Sequence, residues 1–94
     1  VKIHLRYLNI LRNVVGVGEE MVELTGGSRV LDLLKRLCER HGEQCMGLLF
    51  SEGDLNRPNP LLRIVARDTP PFLSPCDYLE DGKSYDLFIA TFGG

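Results

Sequence analysis

The residues whose type and position could do chemistry are the last two, Gly93 and Gly94, which follow Thr91 and Phe92. Glycine makes up roughly 7% of an average protein, so two terminal glycines arise by chance in about 0.5% of chains. With no Cβ, both leave the backbone thin and tolerant of φ > 0. Such an end can thread a narrow channel in another protein and present its α-carboxylate there. A carboxylate is a poor acyl donor. Attack of its oxygen on the α-phosphate of ATP gives an acyl-adenylate, a mixed anhydride that a sulfur or nitrogen nucleophile can open. A side chain at position 93 or 94 would obstruct the channel and shield the carbonyl carbon. The plainer reading of the same residues is a frayed tail with no role.

Other candidate chemistry is sparse. The three cysteines, Cys38, Cys45 and Cys76, are an odd number with no CxxC pair, which makes a poor disulfide framework and a poor zinc site. They read as reduced thiols of a cytoplasmic protein. No His stands at diagnostic spacing to activate any of them. His4 and His41 are far apart in sequence with no ligand set around them, and His41 is expected to face the C-terminal dipole of a helix. Metal ligation is not expected. Gly16-x-Gly18 lacks a third glycine and a βαβ setting, so it is no dinucleotide loop. No serine-nucleophile motif occurs.

The elements that must carry the tail follow from patterning. The chain has 94 residues, 44% hydrophobic and 26% charged, with a net charge of 11 − 13 = −2. That is one domain's length and a globular composition. The small negative charge argues against direct nucleic-acid binding, which needs a basic surface. No run approaches the ~20 apolar residues of a membrane span, and no signal peptide is evident. Val1 stands where a Met is expected, which reads as a processed or an artificial start.

Val1, Ile3, Leu5 and Tyr7 alternate with Lys2, His4 and Arg6, a half-buried strand. Ile10, Leu11, Val14 and Val15 suggest a short helical turn ended by Gly16 and Gly18. Glu20, Val22 and Leu24 predict a second strand, antiparallel to the first. Val30, Leu33, Leu34, Leu37 and His41 form an apolar helical stripe over about residues 29–41. Ser28 is the expected N-cap, Asp32 suits the N-terminal dipole and Gly42 suits the C′ position. Met46 to Phe50 suggests a helical turn, and Ser51 to Pro60 a loop. Leu61 to Arg67 predicts a third strand. The prolines at 70, 71 and 75 allow at most a short edge strand near Leu73. Asp81-Gly82 marks a tight turn before a last strand over Ser84 to Phe92.

The order β-β-α-β-(short β)-β predicts an α+β fold. Its economical packing sets the first and last strands side by side and parallel, with one main helix across a mixed sheet of four to five strands. That is a β-grasp roll, expected over residues 1–92, with 93–94 as a flexible diglycine tail. On the last strand Tyr85, Leu87 and Ile89 share one face, and Asp86, Phe88 and Ala90 the other. If the helix covers the first set, Phe88 and Ala90 face outward beside the tail. Together with Phe92 they are the candidate docking surface for a partner. The opposing reading is that the Ser51 to Pro60 loop covers Phe88. Asp77, Glu80, Asp81 and Asp86 read as a solvated acidic surface, with steering of a basic partner as the alternative.

The whole length resembles the ubiquitin-like sulfur carriers. The first half is similar to the small subunit of molybdopterin synthase in its first strand and in Leu11-Arg12, Gly16, Glu19-Glu20 and Val22-Glu23-Leu24. The second half is similar to the ubiquitin-related modifier of tRNA thiolation. The matching stretches are Arg57-Pro58, Leu61 to Ala66, Asp77-Tyr78-Leu79, Asp81-Gly82, and Leu87 to Thr91 ahead of Gly93-Gly94. The resemblance implies that an E1-like enzyme adenylates the Gly94 carboxylate. A sulfurtransferase or cysteine desulfurase then supplies sulfur for a terminal thiocarboxylate. The sulfur goes to a tRNA base through a tRNA-thiolating enzyme, or to a cofactor precursor with the molybdopterin synthase large subunit. Some relatives also modify protein lysines. On this reading the chain is a carrier and not an enzyme. It binds no cofactor, and ATP belongs to the activating partner. Phe92 before the diglycine and the proline-rich Asp68 to Pro75 depart from the family pattern and leave the branch open. The rival function is a non-catalytic interaction module with a passive tail.

Overall fold

Alternation of apolar and polar side chains sets the first strand. In the computed structural model, which describes residues 1–67, 69 and 71–90, β1 spans Lys2–Tyr7 and buries Ile3, Leu5 and Tyr7. α1 follows at once over Asn9–Val15 and buries Leu11. It stops at Gly16, whose φ of 90° suits a residue without Cβ. β2, Glu19–Glu23, returns antiparallel to β1 with Ile3 opposite Val22. α2 spans Val30–His41, α3 Glu43–Leu49, β3 Leu62–Ala66 and β4 Ser84–Ile89.

The sheet order is β2-β1-β4-β3, with β1 and β4 parallel in the centre and both outer pairings antiparallel. The apolar faces of β1, β4 and β3 meet Val30, Leu33, Leu34 and Leu37 of α2 in one core, which also takes in Leu11 of α1 and Cys45 and Leu49 of α3. All three helices therefore lie on one side of the sheet. This is the β-grasp arrangement expected from the patterning. Among the described residues no helix is long and apolar enough to cross a membrane.

Three local expectations change. Ser28 is not the cap of α2, because its hydroxyl donates to Thr25 O at 2.6 Å. Arg29 takes the cap position, and its backbone N–H donates to the Asp32 carboxylate at 2.9 Å. The next two amides, of Val30 and Leu31, donate to Asp77 O at 2.9 Å and Pro75 O at 3.0 Å. A distant turn satisfies the donors that a serine would otherwise have met. Near Leu73, where at most a short edge strand was expected, a single bond runs from Leu73 N–H to Ile64 O at 2.8 Å. Asp86 is 8% exposed rather than solvated. The expected strand over Ser84 to Phe92 is a strand to Ile89, and Thr91 and Phe92 lie outside the described residues.

Candidate functional site: the exit of the C-terminal strand

β4 is a central strand, so its last residues lie in the middle of the sheet. Two bonds hold them there. Ala90 N–H donates to Leu61 O at 2.7 Å, and Asn9 Nδ2 donates to Ile89 O at 3.0 Å. Asn9 manages this from a left-handed backbone, φ 47°, directly after Leu8 N–H donates to Leu87 O at 3.0 Å. Asparagine tolerates that conformation better than most residues. Its role at the exit has no local sequence signal, because its partner lies 80 residues away.

The faces of β4 divide as expected. Tyr85, Leu87 and Ile89 are buried in the core, while Phe88 and Ala90 are half-buried on the other side. Phe88 is partly shielded by Phe72, ring centroids 5.9 Å apart and planes at 67°. Phe92, Gly93 and Gly94, the other expected site residues, lie outside the described residues.

Below Phe88 on the same face, Asp86 holds two arginines. Arg6 donates from Nε and Nη2 to its two carboxylate oxygens at 2.9 and 2.8 Å, and Arg67 Nη2 lies 3.4 Å away. Such a fork is a strong, oriented ion pair. It ties β1 to β4, the two strands that fix the exit. The rest of the expected acidic surface disperses into turns: Asp77 accepts from Ser74 N–H, Asp81 from Lys2 N–H, and Glu80 pairs with Lys83.

A second polar group lies away from the exit. Glu20 accepts from Tyr7 Oη at 2.5 Å and Arg40 Nη1 at 2.5 Å, and His41 Nε2 lies 2.6 Å from it. His41 thus meets a carboxylate rather than only a helix end. Burial works to raise the Glu20 pKa, but bonds from Tyr7, Arg40 and His41 outweigh it and hold the carboxyl below its usual range. Burial pushes the Cys45 thiol up to about 11 and raises that of Cys38. Both are poor nucleophiles near neutral pH. No group of three or more His, Cys, Asp or Glu fit to hold a metal occurs among the described residues. An apolar groove of about 340 Å³ lies between α2 and the β3 edge, lined by Val30, Leu34, Pro58, Leu62 and Phe72 among others. It holds no acid–base pair.

Among the described residues the site is therefore the fixed end of a central strand, with no acid–base or metal-binding group beside it. No protein-family model and no curated protein matches the chain. Solved structures do. SAMP1 from Haloferax volcanii superposes with a TM-score of 0.80 at 18% identity, over 100% of both chains. A chain of the BexX/CysO complex of Amycolatopsis orientalis does so with a TM-score of 0.66 at 22% identity, over 98% of this chain and 99% of that one. Those two share the fold. A Pyrococcus furiosus protein named for molybdopterin converting factor, subunit 1, reaches 30% identity with a TM-score of 0.75, over 97% of this chain and 99% of its own. With that identity over essentially the full length of both, the chain belongs to the ubiquitin-like sulfur-carrier family.

Proposed function

We propose that this carrier is activated at Gly94 and works as a thiocarboxylate sulfur donor. Residues 1–92 form the β-grasp body and 93–94 the reactive tail. A carboxylate oxygen of Gly94 attacks the α-phosphate of ATP in the site of an E1-like enzyme, and pyrophosphate leaves. The outer sulfur of a persulfide on a sulfurtransferase or cysteine desulfurase then attacks the acyl carbon and displaces AMP. A second thiol of that partner cleaves the S–S bond of the acyl disulfide, leaving the thiocarboxylate on Gly94 and a disulfide on the partner. The acceptor is a molybdopterin precursor or a tRNA base, reached through the synthase large subunit or the thiolating enzyme. Conjugation to lysines fits the same activated end. The chain supplies the acyl group and the docking body, and its partner supplies ATP and the catalytic groups. Its free cysteines fit a cytoplasmic setting.

The observation that carries this reading is the position of β4. A central strand, paired with β1 to Leu87 and with β3 to Ile89 and held at its end by Asn9 and Leu61, runs into Thr91, Phe92, Gly93 and Gly94, the last two without side chains. Phe88, Ala90 and Phe92 are the proposed docking residues beside it.

ATP–pyrophosphate exchange with the host's E1-like adenylating enzyme tests the proposal. The full chain supports exchange, and the chain lacking Gly93-Gly94 does not. Phe88→Asp raises KM about tenfold, the loss of one interface anchor, with the thermal transition retained. Exchange unaffected by removal of the two glycines would leave the passive interaction module as the reading.

A further inference from the structure

Phe72 is 54% exposed, and most of its ring lies over the outer face of the sheet rather than in the core. It is nevertheless held firmly. The next residue, Leu73, donates its N–H to Ile64 O and packs its side chain on the core. Two residues on, Ser74 N–H donates to the Asp77 carboxylate at 2.7 Å. The carbonyls of Pro75 and Asp77 bind the first amides of α2. Pro71 restricts the backbone just before the ring. An aromatic anchor fixed in advance loses little entropy when a partner covers it.

Its surroundings narrow the kind of partner. The ring meets Phe88 edge-on, and the Arg63 guanidinium lies 5.9 Å from its centroid. Arg63 stands opposite Phe88 in the β3–β4 register. Its guanidinium donates to the carbonyls of Pro60 and Leu62, and no carboxylate among the described residues neutralises it. Two aromatic rings beside a cation with no carboxylate partner among the described residues, on a chain of net charge −2, complement an apolar pocket rimmed by carboxylates.

We propose that Phe72 and Arg63 are specificity residues of the carrier. They select, among proteins able to take the tail, one whose docking surface pairs an apolar pocket with an acidic rim. The inference rests on activation at Gly94 and assigns the adenylating enzyme as that partner. The proline-rich segment supplies the contact, so it shapes partner choice rather than merely joining β3 to β4.

The test is steady-state ATP–pyrophosphate exchange with the full-length chain and the host's E1-like enzyme, at low and high salt. Phe72→Ala is expected to raise KM about tenfold with kcat unchanged, and Phe72→Tyr to keep wild-type KM. Arg63→Glu is expected to raise KM by a similar factor and to remove most of the salt dependence. Circular dichroism melts verify that each variant is folded. Wild-type KM in folded Phe72→Ala and Arg63→Glu overturns the inference while leaving activation at Gly94 standing. A wild-type chain that supports no exchange overturns both. Sedimentation equilibrium adds a further outcome: self-association abolished by Phe72→Ala would assign this surface to a second copy and overturn the choice of partner.

Discussion

Asn9 occupies a backbone region that costs most residues of order 1–3 kcal/mol, and it repays that strain by holding the last carbonyl of β4. A glycine there would relieve the strain and lose the bond. A valine would lose the bond and add a β-branched side chain at positive φ. Asn9→Gly is therefore expected to change stability by no more than about 1 kcal/mol, and Asn9→Val to destabilise by about 2–3 kcal/mol, both read from urea denaturation. Equal costs for the two would remove strain from the explanation. Asp86 shows the same dependence on distant partners. Its position in an acidic stretch reads as a wet surface, yet Arg6, 80 residues earlier, grips both its oxygens. Pairings at that separation leave no periodicity to read. Gly94 differs, because its proposed chemistry is suggested by its place after Gly93 and by the predicted topology, and not by a distant side-chain partner.

Elements built on repeating apolar positions were legible. α2 is found over Val30–His41 where the stripe from Val30 to His41 places it, and β1 and β2 follow their alternation. Ends and connections were less so. Ser28 has the chemistry of a cap, but carbonyls of the turn after Leu73 reach the helix first. The join of β2 to α2 went equally unannounced. Glu20 on β2 takes Tyr7 of β1 and Arg40 and His41 of α2 at once. Because its folded pKa is depressed, it stabilises the protein fully above the ordinary glutamate pKa of about 4.3. That stability is lost as the pH falls through the lower folded value. Glu20→Gln should cost about 1–3 kcal/mol at neutral pH, and the gap to wild type should close on acidification below pH ~4. Urea midpoints of the two proteins across pH would measure this. A gap that stays constant to low pH would show that the ionised carboxylate contributes nothing.

At the scale of the molecule, one helix-covered face and one bare face were readable from strand alternation, and so was the central parallel pair. With every helix on one side, the first and last strands must both lie where the core is deepest. The composition of the bare face was only half readable. Phe88 could be placed on it from the period of β4, whereas Phe72 reaches it from an irregular segment without a period. That face and the end of β4 adjoin, so a partner that grips the rings, as proposed, would sit beside Ala90. Such an arrangement matters only if the terminal carboxyl group is what the partner uses. Intact and fragment mass spectrometry of the protein purified from its own host tests that most directly. The account predicts a fraction of molecules in which one oxygen of the Gly94 carboxyl group is replaced by sulfur. A population in which that carboxyl group is never modified, or in which the chain always continues past position 94, would contradict it.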